Sequence, residues 1–366
     1  MRVLFLSQVL PYPLDAGPKV RSYFVLRHLS RQHQVTLLTF VRDTDRPQDI
    51  AHLEEFCHAV HCVPMQRSSL RDLRFLAQGL LSQQPFLIVR DQSSEMMGEI
   101  QRLVASESFD AIHADQLWMA QYALAAKTTS LQVPLILDQH NAVHLIPSRM
   151  AGGSANPFKK AFLSHEARAL ASYETEVCQR FDHVVWVTAE DRQAVSALSA
   201  EKAKAHTAST VIPICTDTDL LAPMTPAASR TRITFLGGLH WPPNAEGVLW
   251  FAERVLPQVR QQVPEAVLTV IGKNPPAGLE GEGVEITGYV TDPKPYLAET
   301  AVFVVPLLAG GGMRVKILDA WCWGLPVVST TIGAEGIDVR HGRDVLLADA
   351  APAFAQAVVR LLKDPA

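Results

Sequence analysis

A glycine-rich loop, two basic residues and one acid follow closely on each other in GGGMRVKILDAWCWGLPVVST (310–330). Glycines let backbone N–H groups approach a ligand without a Cβ in the way, and a helix start adds donors and partial positive charge. Together these features predict an anion site, most often for phosphate. Arg314 and Lys316 would add full charges to a diphosphate, and Asp319, one helical turn beyond Lys316, would accept hydrogen bonds from sugar hydroxyls. The pattern therefore indicates a nucleotide diphosphate ligand.

The same segment has a simpler interpretation as a turn that only packs. Strand–glycine loop–helix turns are common in α/β proteins. In that case Arg314 and Lys316 are solvated, and Asp319 forms an ordinary surface pair with Lys316. The segment by itself leaves both interpretations open.

Short apolar, β-branched runs separated by helical stretches would position this segment. VFVVP (302–306) precedes the loop as a buried strand, and Gly324 and Pro326 end the helix predicted over Met313–Trp323. Continuous apolar strands alternating with helices indicate parallel sheets covered on both faces. We predict strands at 3–7, 35–40, 59–63, 111–114, 135–138, 184–188, 233–237, 267–272, 284–288, 302–306 and 326–330.

The number of predicted strands exceeds one sheet, which indicates two domains. TASTVIPICTDTDLLAPMTPAASR (207–230) separates the two series and is rich in Thr, Ser and Pro. We therefore predict an N-terminal Rossmann-like domain over 1–206, a linker over 207–230 and a C-terminal Rossmann-like domain over 231–366. Both would be doubly wound α/β domains that face each other across a cleft, with ligands beyond the carboxyl ends of the strands.

Composition narrows the class of protein. The chain has 366 residues, of which 48% are hydrophobic, enough for two cores. A net charge of -4 argues against broad nucleic-acid binding. The apolar run over 2–7 is too short for a signal peptide, and no run reaches the roughly 18 apolar residues of a membrane helix. Five scattered cysteines suit a reducing compartment, so we expect a cytoplasmic protein.

An amphipathic segment, RSSLRDLRFLAQGLLSQQPFLIVR (67–90), places three arginines at helical spacing beside leucines. Such a helix can dock on an anionic membrane. A packed surface helix explains the pattern equally well. Peripheral contact with the inner membrane face is therefore one of two expectations for this segment.

The second half of the chain resembles the donor domain of GT-B retaining glycosyltransferases of family 4, the glycosyl transferases group 1. It is most similar to the bacterial subgroup involved in exopolysaccharide and surface-glycan assembly. The resemblance is carried by FLGGLHWPPN (235–244), VLTVIGKNPP (267–276), VEITGYVTD (284–292) and the block over 306–337, and in the first half by the segments 11–39, 135–141 and 181–191. It covers nearly the whole chain.

This resemblance implies an enzyme that moves a sugar from a nucleotide diphosphate sugar to an acceptor hydroxyl with retention. The acceptor would be a glycan, a lipid-linked molecule or a small molecule. The family needs no metal and no cofactor besides the nucleotide sugar. A GT-B nucleotide-sugar epimerase and a non-catalytic nucleotide- or glycan-binding relic are the alternatives.

The resemblance also assigns roles to single residues. His140 would face the transferred sugar, and Arg314 and Lys316 would stabilise the leaving diphosphate; these three are the predicted catalytic residues. Asp319 falls where the family places its ribose-binding Glu. The predicted donor-binding residues are Gly17, Gly237, Gly238, Gly288, Tyr289, Val290, Gly311, Gly312 and Asp319.

Three departures from the family pattern bear on activity. The first acid of the family's E-x7-E pair would fall at Gly311, and the second is the shorter Asp319. The basic pair after the first donor-domain strand is absent from GGLHWPPN, where His240 is a weak replacement. The phosphate charge would then rest on Arg314, Lys316 and helix dipoles. The chain also ends at LLKDPA, before the helices with which family members usually cross back, so we expect a truncated or unusually short form.

Overall fold

The computed structural model describes residues 1–65, 75, 84–127, 133–201, 207–219, 221–225 and 231–364. The chain divides into two compact units, Met1–Ala151 with Asn156–Pro213, and Gly152–Ala155 with Ile214–Ala366. Each unit is built on one sheet whose strand pairs are all parallel. The fold class expected from the alternation of apolar strands and helices is therefore confirmed.

The first unit contains a seven-stranded sheet in the order β3-β2-β1-β4-β5-β6-β7. Its strands are β1 (Arg2–Ser7), β2 (Gln34–Val41), β3 (Ala59–Pro64), β4 (Ala111–Asp115), β5 (Leu135–Gln139), β6 (His183–Trp186) and β7 (Ser209–Val211). The register pairs Ser7 with Asp115, and Asp115 with Asp138. Polar residues at the carboxyl ends of three neighbouring strands therefore lie side by side.

Helices follow the strands of the first unit. They are α1 (Gly17–Ser30), α2 (Pro47–Glu54), α3 (Phe86–Val89), α4 (Ser94–Ser106), α5 (Ala120–Lys127), α6 (Leu145–Gly153), α7 (Pro157–Arg180) and α8 (Ala189–Glu201). Local signals explain two of their starts. The side chain of Ser93 accepts from Met96 N, and that of Asn156 accepts from Phe158 N and Lys159 N.

The second unit contains a six-stranded sheet in the order β10-β9-β8-β11-β12-β13. Its strands are β8 (Arg232–Leu236), β9 (Val267–Ile271), β10 (Val284–Gly288), β11 (Thr300–Val305), β12 (Val327–Ser329) and β13 (Leu346–Leu347). The helices are α9 (Pro242–Trp250), α10 (Leu256–Arg260), α11 (Lys294–Ala298), α12 (Val315–Cys322), α13 (Thr331–Ala334) and α14 (Ala351–Lys363), with a π-helix over Phe251–Val255. Buried residues of β8, β9 and β11, such as Phe235, Leu268 and Val304, form the core against α14.

All eleven predicted strands are present, with ends shifted by at most two residues. Two strands have no counterpart in the sequence prediction. The three residues of β7, Ser209–Val211, lie in the polar segment interpreted as a linker, yet they pair with β6. The two residues of β13 are too few for a periodicity to appear. The junction between the units, at Pro213 and Ile214, falls within that same segment.

The amphipathic segment predicted over 67–90 lies outside the described residues, apart from residue 75 and the part from 84 onward. There, residues Phe86–Val89 form α3, and Glu166 accepts hydrogen bonds from Phe86 N and Leu87 N, both at 3.0 Å. None of the helices in the described ranges is both long and apolar enough to span a bilayer. Membrane contact through this segment stays a prediction.

Candidate functional site

The predicted donor-binding residues of the second half lie at one edge of the second sheet, where neighbouring parallel strands end. Gly237 and Gly238 follow β8, Gly288, Tyr289 and Val290 end or follow β10, and Gly311 and Gly312 follow β11. Because β10, β9, β8 and β11 are consecutive in the sheet, their carboxyl ends share one edge. The structure therefore brings together the loops that the sequence singles out, at the edge where α/β proteins bind ligands.

Lys316 lies in the first turn of α12 and points under the loop that follows β8. Its Nζ donates to Asn244 Oδ1 at 3.1 Å and lies 4.3 Å from the centre of the Phe235 ring. Asn244 is itself buried, and its Nδ2 donates to Gly238 O at 2.8 Å. Asn244 therefore joins the loop after β8 to the start of α12. The sequence does not indicate this role, because Asn244 and Lys316 are 72 residues apart along the chain.

The ammonium of Lys316 is costly to hold in this position. Burial and, to a lesser extent, the nearby charge of Arg314 lower the pKa of Lys316 to about 7, although the charge of Asp319 partly opposes them. The residue as a whole keeps part of its surface exposed. An anion placed at this edge would favour the charged ammonium, which is the property expected of a diphosphate ligand group.

Gly237 has a steric reason to be glycine. A Cβ at this position would lie 2.6 Å from Lys316 Nζ and 3.1 Å from Asn244 Nδ2. The missing side chain thus makes room for the lysine head. A Cβ at Gly272 would overlap the carbonyl oxygen of Gly237, so the loops after β8 and β9 touch through their backbones.

Arg314 differs from the expectation. It directly precedes α12, which begins at Val315 and not at the predicted Met313, and its side chain is buried, with the residue 5% exposed. Its Nε donates to Gly333 O at 3.2 Å, and its Nη2 donates to Ile332 O at 2.5 Å and to Glu335 O at 3.2 Å. The guanidinium therefore holds the carbonyl groups at the end of α13, where a cation is favourable. Its contact with a diphosphate stays a prediction, and its role in packing is visible.

Asp319 lies one turn beyond Lys316 and is half-buried. Its Oδ1 accepts from Thr216 Oγ1 at 2.7 Å. Burial raises the pKa of Asp319, and the Thr216 hydrogen bond and the Lys316 charge oppose that shift. Within the described residues, Lys316 bonds Asn244 and Asp319 bonds Thr216, so the two do not form the surface pair of the packing interpretation. The sequence does not indicate a role for Thr216, because this residue lies in the segment predicted to be a linker.

Tyr289 is 53% exposed beside the carboxyl end of β10. The Nζ of Lys273, just after β9, lies 4.0 Å from the centre of its ring. Gly288, at φ +70°, makes the turn that presents the tyrosine, and its carbonyl accepts from Gly272 N at 2.9 Å. An exposed ring held by a cation suits the predicted role of framing a nucleotide base. Lys273 is an addition that the sequence motifs do not indicate.

In the first unit, His140 directly follows β5 and is 9% exposed. Its Nε2 lies 2.9 Å from Asp115 Oδ1. The following loop is held by two buried acids: Asp191 Oδ1 accepts from Ala142 N at 2.8 Å, and Glu174 Oε1 accepts from Val143 N at 2.7 Å. His140 is thus at the carboxyl edge, as predicted, but it is also part of a buried network. Gly17, the other predicted residue of this unit, is the first residue of α1.

A cluster of buried ionisable groups surrounds His140. Ligand atoms of His113, Asp115 and Asp138 lie within 4.8 Å of one another, which is close enough for a shared metal ion. Arg21 already pairs with Asp138, at 2.8 Å from Nη2 to Oδ1. Burial acts to raise the pKa of Asp138, but His113, Arg21 and His140 outweigh it and hold that pKa well below its usual range. We interpret the cluster as a charge network because a guanidinium occupies the place of a cation.

Comparison with known protein families identifies the family of this chain. The family model for glycosyl transferase 4-like domains matches residues 16–209, more than half of the chain. The chain belongs to the glycosyl transferase 4-like family. The model for glycosyl transferases group 1 matches residues 230–364 of this glycosyltransferase. The resemblance carried by the sequence motifs is therefore confirmed.

Relatives of this glycosyltransferase match along nearly its whole length. An uncharacterized 44.6 kDa protein in the cps region of Klebsiella pneumoniae is 22% identical over 385 residues, covering 99% of this chain and 91% of that protein. Anabaena HepE in complex with UDP and glucose gives a TM-score of 0.65 at 16% identity, covering 100% and 90% of the two chains. OtsA in its apo form gives a TM-score of 0.66 at 13% identity, covering 100% and 92%. These structures establish the GT-B fold.

Proposed function

We propose that this glycosyltransferase moves a hexosyl group from a nucleoside diphosphate sugar to an acceptor hydroxyl, with retention of configuration. The observation that carries the proposal is Lys316, whose ammonium is buried beside the glycine loop after β8 at the ligand-binding edge. Asp319, whose Oδ1 accepts from Thr216, would accept a hydrogen bond from a ribose hydroxyl. Burying a cation without a full counter-charge favours binding of an anion there.

In the proposed reaction the diphosphate leaves toward Lys316 and the helix start of α12. The acceptor hydroxyl attacks from the face that the diphosphate leaves, and a diphosphate oxygen takes its proton. Hydrogen-bond donors that are fixed before the reaction stabilise the charge developing on the diphosphate, and we therefore propose no role for a metal or a cofactor. The domain over 231–366 would hold the donor, and the domain over 1–206 would supply His140 and the acceptor side.

UDP is the first nucleotide to test, because HepE is solved with UDP and with UDP-glucose. A role in surface polysaccharide or glycoconjugate synthesis is supported by the Klebsiella relative, which lies in a cps region. The acceptor would then be a glycan or a lipid-linked glycan. We also propose that the enzyme acts in the cytoplasm, with peripheral contact at the membrane.

The test begins with thermal shifts against UDP, GDP, ADP, TDP and CMP, followed by product analysis with the matching sugar donors. His140→Ala should lower turnover at least about tenfold while nucleotide affinity changes less than about twofold, because an interaction made mainly in the transition state affects the rate. His58→Ala, which removes an exposed histidine of the same unit, is the matched control.

Other outcomes would favour other functions. Conversion of the donor sugar in the absence of an acceptor would indicate an epimerase. Nucleotide binding without turnover for any donor and acceptor pair would indicate a binding relic. Normal turnover in His140→Ala would remove that residue from the proposed site.

A further inference from the structure

A buried polar network lies beneath α1, at the carboxyl edge of the first sheet. Arg21 and Ser22 enter it from α1, Ser7 from β1, Asp115 from β4 and Asp138 from β5. Each of these five residues is less than 5% exposed. The two acids occupy paired positions of neighbouring strands, so their side chains emerge next to each other. His140, which follows β5, closes the network.

Asp115 is fully enclosed, and both of its oxygens accept hydrogen bonds. Oδ2 accepts from Ser22 Oγ at 2.6 Å and from Ser7 Oγ at 3.2 Å. Oδ1 lies 2.9 Å from His140 Nε2. A carboxylate only accepts, so the ring nitrogen that faces it carries the hydrogen. The neutral imidazole is then the Nε2–H tautomer, and its lone pair is on Nδ1.

We propose that Asp115 is the residue that positions His140, fixing its Nε2–H tautomer so that Nδ1 is presented to the substrate as a hydrogen-bond acceptor. Among the described residues, His140 Nδ1 makes no hydrogen bond. A substrate hydroxyl would therefore donate to His140. This assignment rests on the proposed function, in which His140 faces the sugar.

The same carboxylate ties His140 to α1. Ser22, which bonds Asp115, is one residue from Arg21, whose Nε donates to Asp138 Oδ1 at 2.9 Å. These two contacts hold the first turns of α1, the helix that begins at Gly17. The loop before α1 and the ring of His140 therefore share one anchor. Loss of Asp115 should disturb both, whereas loss of the exposed Asp43 should disturb neither.

The tautomer can be read without any substrate. In the full chain labelled with 15N-histidine, ring nitrogen shifts report which nitrogen carries hydrogen, and His140→Gln assigns the signal. We expect Nε2–H in the wild type and in the Asp43→Asn control. Asp115→Asn, whose amide can also donate, should give a mixture or the Nδ1–H form. Ser22→Ala and Ser7→Ala keep the carboxylate and provide gentler variants if Asp115→Asn does not fold; broadening or a shift of the His140 signal is then expected.

Turnover provides the second readout. Asp115→Asn should lower kcat about tenfold or more, with a smaller effect on UDP affinity. This loss should be diminished when His140 is already alanine, because the part that acts through the ring is then already absent. An unchanged His140 tautomer in Asp115→Asn, or an undiminished effect in the His140→Ala background, would overturn the proposal. So would Zn²⁺ or Mn²⁺ shifting the His113 signal, because Asp115 would then be a metal ligand. A changed tautomer in a protein that turns over no donor would leave the positioning role standing and refute the proposed function.

Discussion

Replacing Gly237 by alanine is a direct way to displace the head of Lys316 without altering its charge. The added methyl group would lie 2.6 Å from Lys316 Nζ, closer than real contacts allow. It would also lie 3.1 Å from Asn244 Nδ2 and 3.4 Å from the end of the Phe235 ring. The lysine is the most flexible of these neighbours, so the ammonium moves and the backbone stays.

The size of the effect follows from what the lysine loses. Displacement breaks its 3.1 Å hydrogen bond to Asn244 and removes the ammonium from the ligand edge. A charge-assisted hydrogen bond to a diphosphate contributes about 1.5–3 kcal/mol, which corresponds to roughly a 10- to 150-fold loss of affinity. The melting temperature should change little, because the backbone at Gly237 is not in the left-handed region.

Calorimetry with UDP and with uridine tests this reasoning. UDP binding should weaken about tenfold or more in Gly237→Ala, and uridine binding should stay within about twofold, since only the phosphates meet Lys316. Gly281→Ala makes the same substitution in the same unit, where the nearest atom to the new methyl group is 4.0 Å away. It should leave both affinities unchanged.

The double variant Gly237→Ala/Lys316→Ala tests whether Gly237→Ala acts through Lys316. If Gly237 is needed to make room for Lys316, the loss caused by Gly237→Ala should disappear once Lys316 is alanine. A loss of the same size in both backgrounds would show that the methyl group obstructs the ligand or the loop itself. The lysine would then have no part in the requirement for glycine.

Four further predictions concern the same edge. The pKa of Lys316 is lowered to about 7, and a bound diphosphate favours the charged form. UDP affinity should therefore be highest below pH 7 and fall by up to about tenfold per pH unit above it. Lys316→Arg should flatten this pH profile, measured by calorimetry. In the free protein, stability should instead rise with pH above 7, since the unfolded chain still binds the proton that the folded chain has released. Arg314→Ala should lower the melting temperature by roughly 3–10 °C through the carbonyls it leaves unpaired, unlike the exposed Arg340→Ala. Asp319→Asn should weaken binding of uridine and UDP alike, measured by calorimetry; an effect on UDP alone would remove the ribose role.

The fold was accessible from the sequence because buried parallel strands are continuous apolar runs. VFVVP and VLTVIG are examples in which the run and its flanking turns define a strand to within two residues. Strand β7 was not accessible, since its three residues, Ser209–Val211, gain their strand conformation from pairing with β6 rather than from their own side chains.

The candidate site was accessible in its loops and less so in its contacts. Glycines and charges at 310–319 predict an anion site, and the structure places Lys316 beside the loop that follows β8. The direction of Arg314 depends on α13, whose carbonyls attract it, and no local pattern encodes that attraction. Asn244 and Thr216 bond Lys316 and Asp319 across 72 and 103 residues, so only the folded chain reveals them.

The backbone contact between Gly272 and Gly237 has a consequence for the thermodynamics of ligand binding. Gly237 N donates to Ile271 O at 2.9 Å and Leu239 N donates to Lys273 O at 3.0 Å, which extends the strand ladder into the loop itself. The amide protons of Gly237 and Leu239 should therefore exchange slowly with solvent even before a nucleotide is present. A loop that is already ordered loses little conformational entropy when it is occupied, so little of the interaction energy at this wall of the site is consumed in ordering the chain.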